Sequence, residues 1–185
     1  MTPNASSTED TSAPVNGDGF RDVPWGTAPD RAKLREGTAP DQESSTILAW
    51  SGVQLADLTC EVVHIYAQNK LVRGKYLVTD TWLNENRYLT EFESLKSLLQ
   101  RKYGKPDSDD SFWSNTLWED DPNDWGKAVE RGHLSFFARW ERGDTRVLLH
   151  LTGENYESKL GIEYASLSLE LLEQHDRESA TLDDL

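Results

Sequence analysis

Acidic side chains and tryptophans alternate within one stretch of the chain, residues 107–126. This stretch holds seven carboxylates and no Lys or Arg, so its formal charge is −7. Carboxylates attract basic protein surfaces, and Trp is enriched among the residues that dominate binding energy at interfaces. We therefore predict a partner-binding surface for a basic protein, with no cofactor. Its candidate residues are Asp109, Asp110, Trp113, Trp118, Asp120, Asp121 and Trp125.

Two other interpretations of this stretch stay open. In the first, the tryptophans fold back and anchor the loop on the rest of the domain, because long loops need anchoring to stay ordered. In the second, the carboxylates bind a cation loosely. Residues 107–110 resemble the start of a calcium loop, but Phe112 and Trp118 occupy the positions where an EF-hand needs Gly and Glu.

Two histidines are the basis of an alternative hypothesis, in which the protein is an enzyme. His64 and His150 both fall in strand-like patterns, where two imidazoles and a nearby carboxylate can bind a metal or transfer protons. This favours a small hydrolase or metal-dependent enzyme as the second hypothesis. The chain carries no Walker loop, Rossmann glycine fingerprint, nucleophile elbow or HExxH motif. The leading prediction is therefore a non-enzymatic binding module, of the inhibitor or immunity type.

A helix with marked ends precedes the acidic stretch. The Thr90–Glu93 segment matches a capping box, which predicts the helix start. Gly104 suits a left-handed C-terminal residue, and Pro106 prevents the helix from continuing. Phe92, Leu95, Leu99 and Tyr103 recur at helical spacing and predict its buried face.

Strand-like patterns lie on both sides of this helix. A shorter helix comes first, with Thr27 as its predicted N-cap, Pro29 in its first turn and Gly37 at its end. The turn signal at 68–70 requires antiparallel neighbours, because so short a link cannot join parallel strands. The predicted strands are 45–51, 55–67, 71–79, 133–141, 146–151 and a last one around 160–164.

These elements predict an α+β fold. Two helices pack on one face of a mainly antiparallel sheet of about six strands, in the order α-β-β-β-α-β-β-β. The order also suits two diverged repeats. Residues 166–176 stay open between strand and helix. The predicted organisation is a disordered acidic tail at 1–19, a single α+β domain at 20–172 that includes the loop 107–126, and an acidic C-terminal tail at 173–185.

The charge pattern narrows the function classes. The net charge is −14, and the two tails and the acidic stretch carry all of the excess. A phosphate backbone would be repelled, which argues against nucleic acid binding. Cys60 is the single cysteine, so it forms no intrachain disulfide. No apolar run is long enough to span a membrane, and oligomeric state stays open.

The N-terminal sequence bears on localisation. Residues 1–19 have neither the positive start nor the apolar core of a signal peptide, so the default expectation is cytoplasmic. An export signal trimmed from a precursor would leave the same chain, and that alternative stays open.

Two short boxes resemble a known group of proteins. They are Val23–Thr27, which holds Trp-Gly-Thr, and Tyr88–Pro106, which ends in Lys-Tyr-Gly-Lys-Pro. Together they resemble small bacterial proteins of unknown function with a Trp-Gly-Thr/Ser helix start and a Lys-Tyr-Gly-x-Pro helix end. The arrangement is also similar to beta-lactamase-inhibitor-like folds and outer-membrane assembly lipoproteins. The resemblance implies a helix-plus-sheet fold and binding rather than catalysis.

Overall fold

The computed structural model describes residues 18–183, with side chains through Asp176, and it shows an α+β fold around a large sheet. Eight strands form this sheet in the order β3-β4-β5-β6-β10-β9-β8-β7, and every neighbouring pair is antiparallel. A separate hairpin is made of β1 (Gly19–Phe20) and β2 (Val23–Pro24). The other strands are β3 (Gln42–Glu43), β4 (Ile47–Leu55), β5 (Leu58–Ala67), β6 (Lys70–Val78), β7 (Ser108–Trp113), β8 (Leu134–Arg142), β9 (Thr145–Glu154) and β10 (Glu157–Ser166). The helices are α1 (Pro29–Glu36), α2 (Asn86–Tyr103), α3 (Trp125–Glu130) and α4 (Glu170–Asp183).

One face of the sheet carries the core. Cross-strand neighbours share a face, which places Val62, Tyr76, Ile162, Leu149 and Ala138 in one row on the core side. Helices α2 and α3 cover this face. The largest fully buried side chains include Trp140, Phe20, Phe92, Leu48, Leu71, Leu134, Leu149 and Leu151.

The other face, here called the outer face, is polar and only partly covered. Its matching row runs through Val63, Lys75, Glu163, Leu148 and Arg139. Helix α4 packs on this side. Its Glu173 carboxylate accepts hydrogen bonds from the Arg73 guanidinium at 2.8 and 3.2 Å.

The sequence predicted six strands and two helices, and both counts were wrong. Strand β7 lies inside the predicted loop 107–126. The sequence did not indicate this strand, because Asp and Ser are disfavoured in strands. An edge strand tolerates such residues, since one side stays in solvent. Strands β1, β2 and β3 have two residues each, too few for periodicity. The α+β class and the antiparallel sheet are confirmed.

Helix α2 begins earlier than its predicted capping box. It starts at Asn86, and Thr90 sits in the helix with its hydroxyl donating to the Asn86 carbonyl at 3.4 Å. The Asn84 side chain instead accepts from the Asn86 amide at 3.1 Å. The predicted end at Gly104 is confirmed, with φ of 79°. The predicted buried positions Phe92, Leu95 and Leu99 are buried, and Tyr103 is half-buried.

The ends of the chain differ in what is described. Residues 1–17 of the predicted N-terminal tail lie outside the described residues. Residues 166–176, for which the sequence left strand and helix open, contain the last residue of β10 and the first part of α4, which ends at Asp183. Helix α4 therefore overlaps the range 173–185 of the predicted C-terminal tail. Helix α1 follows Ala28 rather than Thr27, and Ala28 makes no side-chain cap.

Candidate functional site

The stretch 107–126 has three structural parts. Strand β7 pairs with β8 at the edge of the sheet, from Ser108 opposite Arg139 to Trp113 opposite Leu134. The chain then turns through residues 114–121. A single 3-10 turn, Pro122–Asp124, leads directly into α3. We call Leu117–Asp121 the acidic turn.

The three tryptophans of this stretch are half-buried and face the domain. Trp113 packs edge-on against Trp125, with ring centroids 5.8 Å apart, and Trp125 also contacts Phe136. The Trp125 indole N–H donates to the Glu119 carbonyl at 3.2 Å, which ties the acidic turn to α3. Trp118 stacks on His133 at 5.0 Å. These contacts match the anchoring interpretation of the tryptophans.

Arg131 connects the acidic turn with the β9–β10 turn. Its guanidinium lies 5.0 Å from the Trp118 ring centroid and 5.6 Å from that of Tyr156. The Tyr156 side chain is 69% exposed, and Leu117 in the acidic turn is 68% exposed. Asn155 and Tyr156 form the turn with φ of 53° and 65°, the left-handed region that few aromatic residues adopt. The acidic turn therefore has one exposed apolar side chain within it, Leu117, and an exposed aromatic side chain, Tyr156, on the other side of Arg131.

The seven carboxylates of the stretch divide into paired and unpaired groups. Asp109 pairs with Lys96 at 3.1 Å, Asp124 with Lys127 at 2.7 Å, and Asp107 with Arg142 at 2.9 Å. The Asp121 carboxylate caps the 3-10 turn by accepting from the Asn123 amide at 3.0 Å. Within residues 18–176, the carboxylates of Asp110, Glu119 and Asp120 have no hydrogen-bond or ion-pair partner.

The predicted site residues are therefore only partly brought together. Asp120 and Asp121 share the acidic turn with Trp118, and Trp113 and Trp125 contact each other beneath it. Asp109 and Asp110 are adjacent in β7, so their side chains project to opposite faces of the sheet. Sequence analysis missed Leu117, Arg131 and Tyr156. Proximity between residues 117 and 156 has no local signal, because it depends on the pairing of β8 with β9 and β9 with β10.

Strand β7 leaves a free backbone edge. It is the last strand on its side of the sheet, and Ser114 N–H donates to His133 C=O just beyond its end. Along an antiparallel pair, every second residue hydrogen-bonds to the neighbouring strand. Because Ser114 bonds to His133, the residues Asp109, Ser111 and Trp113 direct their N–H and C=O groups away from β8. The Phe112 side chain on the outer face is 57% exposed and contacts Phe137.

His64 and His150 are not brought together. The register of β5, β6, β10 and β9 places His64 on the core face and His150 on the outer face. The two histidines lie on β5 and β9, and strands β6 and β10 lie between these two strands in the sheet. Residues 18–176 contain no group of three or more His, Cys, Asp or Glu side chains arranged to hold a metal ion. No acid–base or metal site can be built from this pair of histidines.

The two histidines have different surroundings. His64 is 0% exposed, its ring packs against Phe20 and Trp50, and neither ring nitrogen has a hydrogen-bond partner. Burial lowers the pKa of His64 to about 4. His150 lies over Gly161, where an added Cβ would come within 2.9 Å of Nε2. Burial also lowers the pKa of His150, and Glu163 opposes that shift.

A cavity of about 450 Å³ opens at the opposite end of the strands from the acidic turn. Its floor holds Tyr76 and Tyr164, and its rim holds Arg21, Lys102 and Arg142 among other residues. The two arginines are engaged within the protein. Arg21 makes a bidentate pair with Glu36 at 2.6 and 2.8 Å, and Arg142 pairs with Asp107 and donates to the Tyr103 carbonyl at 2.9 Å.

The two acids and the lysine that line the cavity also have internal contacts, and the Asp22 carboxylate pairs with the Arg35 guanidinium at 3.3 Å. The Asp18 carboxylate accepts from Asp144 N–H at 2.9 Å, and the Lys102 ammonium lies 5.0 Å from the Tyr103 ring centroid. Charges of both signs thus meet within the rim, and these contacts do not favour a ligand of particular charge.

Two further findings concern membrane-spanning helices and similarity to known proteins. None of the helices in the described residues is long and apolar enough to cross a membrane. No protein-family model, curated protein or solved structure matches the chain.

Proposed function

We propose that the protein is a non-enzymatic binding module that engages a basic protein surface through the acidic turn and the residues beside it. An inhibitor or immunity-type protein fits this description. The observation that carries the proposal is the set of exposed, unpaired carboxylates of Glu119 and Asp120, flanked by the exposed side chains of Leu117 and Tyr156. Most other acids of the stretch have partners within the protein.

Rigidity supports the proposal. Trp118 contacts His133 and Arg131, and the Trp125 indole donates to the Glu119 carbonyl, so the turn is tied to the domain in the absence of a partner. Binding to a preorganised surface costs less conformational entropy than binding to a mobile loop. The tryptophans therefore position the contact surface in this proposal, and Leu117 and Tyr156 supply apolar contact.

Electrostatics supports the choice of partner. Uncompensated carboxylates steer a basic partner and raise the association rate, whereas they repel the phosphates of nucleic acid. Asp110 adds an unpaired charge on the neighbouring edge strand, and Asp121 adds a charge whose oxygen is already bound to the Asn123 amide. Charges at the rim of an interface act mainly on encounter, so the proposal concerns rate and specificity more than affinity.

The sheet order also supports an inference of two diverged repeats. Each half contains a helix, an edge strand and a three-strand meander in this order, with β6 and β10 meeting at the centre, and the second half adds the 3-10 turn and α3 between its edge strand and its meander. The halves differ at their edges, since β3 has two residues and β7 has six. In this inference the second copy gained the longer edge and the tryptophan-anchored turn.

The test starts by finding the partner through the proposed surface. A photo-reactive amino acid is placed at Leu117, with the equally exposed Leu34 on α1 as a control position. The cross-linked protein is identified and purified, and its association is measured by stopped flow at several salt concentrations. The variants are Glu119→Gln with Asp120→Asn, and the control Asp30→Asn with Asp57→Asn, which removes two exposed acids elsewhere.

The expected result is slower association and weaker salt dependence for the acidic-turn variant alone. Equal association rates for the two double variants would contradict the proposal, because net charge rather than this surface would then control encounter.

A further inference from the structure

We propose that the outer edge of β7 is a strand-addition site that binds an extended cationic segment of the partner. The inference rests on the proposed function and goes further, because it names the mode of binding and the conformation of the bound segment. An added strand hydrogen-bonds to an exposed sheet edge, and neighbouring side chains select the sequence.

The first support is the unpaired backbone. Asp109, Ser111 and Trp113 direct three N–H groups and three C=O groups away from β8, in a strand of six residues. At the other end of the sheet, β3 covers only Leu48 and Ala49 of β4, and a β-bulge between Trp50 and Val53 interrupts the rest of that edge. Edge strands with free backbone groups pair readily with other chains unless charges, bulges or covering segments prevent it.

The second support is the side-chain pattern along β7. Asp110 is unpaired and Phe112 is 57% exposed, and both lie on the outer face. On the core face, Asp109 retains its pair with Lys96, and Trp113 is half-buried. An added strand alternates its side chains between the two faces of the sheet, so a basic residue at every second position meets Asp110 and the face of the Phe112 ring on the outer side, and the apolar residues between them lie on the core side with Trp113.

Charge selects the occupant. A second copy of this chain would bring its own acidic stretch, of formal charge −7, against the same stretch, and like charges repel. A basic segment instead gains from the unpaired Asp110 carboxylate and from the nearby acidic turn. The charge of this stretch therefore discourages self-association and favours a cationic strand.

The test uses a defined peptide rather than the native partner. The probe is a capped peptide of about nine residues that alternates Lys with Val, a suitable length for one strand. A matched peptide carries Pro in place of the central Val, which keeps the charge and removes strand pairing. Binding is measured by titration, and amide hydrogen exchange by NMR reports on individual residues of the full chain.

The key variant is Ser111→Pro. It removes an outward N–H without removing a hydrogen bond to β8, so an edge strand should accept it. Ser111→Thr is the matched control, since it keeps the N–H and favours strand structure. We expect Ser111→Pro to weaken peptide affinity by about tenfold or more and Ser111→Thr to leave it unchanged. In the wild-type chain, the probe should slow exchange at Asp109, Ser111 and Trp113.

The possible outcomes separate this inference from the proposed function. Equal affinity for the two peptides, with no change in exchange along β7, would overturn strand addition. If both peptides bind with equal affinity, but more weakly to the Glu119→Gln, Asp120→Asn variant than to the wild-type chain, the acidic turn remains the contact surface. If Ser111→Pro proves unfolded, the exchange measurement on the wild-type chain decides alone. Failure of the Lys–Val peptide to bind, or dimerisation of the chain through β7, would overturn the choice of a cationic occupant.

Discussion

The acidic turn and the tyrosine-floored cavity lie at opposite ends of the strands and combine the same kinds of residues. Both bring aromatic rings together with charged side chains. In the cavity, Arg21 and Arg142 are paired within the protein. In the acidic turn the aromatic rings are packed, but the carboxylates of Glu119 and Asp120 are unpaired.

This difference separates groups that serve the fold from groups that our proposal assigns to a partner. Aromatic and charged residues that satisfy one another stabilise the fold, and their removal is expected to appear in the free energy of unfolding. Exposed charges without partners contribute little to stability, so they are available to a partner. The predictions below test this distinction, beginning with the largest expected effect.

Loss of the Glu36 carboxylate should have the largest effect. Glu36→Ala leaves the Arg21 guanidinium without its bidentate partner, and the Glu36 side chain is only 6% exposed. Breaking a buried pair from one side costs about 3–5 kcal/mol of unfolding free energy. Urea denaturation measures it. The control Glu43→Ala breaks an exposed pair with Lys33 and should have little effect. Similar losses in both variants would contradict the importance of burial at the cavity end.

Acid should destabilise the protein through His64. Its folded-state pKa of about 4 lies below its ordinary value of 6.5, so the unfolded chain takes up a proton first as pH falls. Above pH 6.5 this group has no effect, and between pH 6.5 and 4 it lowers stability by about 3 kcal/mol in total. His150, whose pKa is also lowered by burial, acts in the same direction.

The measurement is urea denaturation of wild type and His64→Leu across that pH range. We expect the variant to lose the part of the pH dependence that His64 contributes, because Leu carries no titrating group, and to retain the part that His150 contributes. An unchanged slope would show that His64 does not control acid stability. The result extends the comparison between groups that serve the fold and groups that serve binding. His64 is an unpaired group inside the core and is expected to affect stability, whereas Glu119 and Asp120 are unpaired on the surface and are expected to affect binding.

Trp118 tests whether the tryptophans anchor the turn. Trp118→Ala removes the stack on His133 and the contact with Arg131, and it should lower the free energy of unfolding by about 2 kcal/mol, less than for a fully buried Trp. Trp118→Phe preserves an aromatic stack and should recover part of the loss. Thermal unfolding and partner kinetics are compared on the same variants. If Trp118→Ala keeps wild-type stability and speeds partner dissociation, Trp118 is itself a contact residue.

Neutralising the unpaired acids should have the smallest effect on stability. Glu119→Gln with Asp120→Asn should change the free energy of unfolding by no more than about 0.5 kcal/mol, as expected for exposed sites without partners. A loss well above that value, measured by urea denaturation, would show that these carboxylates serve the fold and would remove the contrast with the cavity.

Local signals in the sequence determined several features of this protein. The turn at Gln68–Asn69, with φ of 48° and 63°, forms the hairpin predicted from Asn in a short link. The buried face of α2 and its end at Gly104 also follow from the sequence, because helical spacing and the left-handed preference of Gly act over a few residues. The antiparallel pairing of β4 with β5, β5 with β6, β8 with β9 and β9 with β10 follows from the short links between these strands.

The tertiary structure decided the features that matter for the candidate site. Pairing of β6 with β10 joins the halves of the sheet, and no local pattern specifies which strands meet. That long-range register separates His64 from His150, whereas the pairing of β8 with β9 and of β9 with β10 brings Arg131, Trp118 and Tyr156 together. Strand β7 formed despite its acidic composition because β8 supplied hydrogen-bond partners along one side. Residue types thus indicated an acidic aromatic segment, while packing decided which of its groups are used inside the protein and which remain exposed.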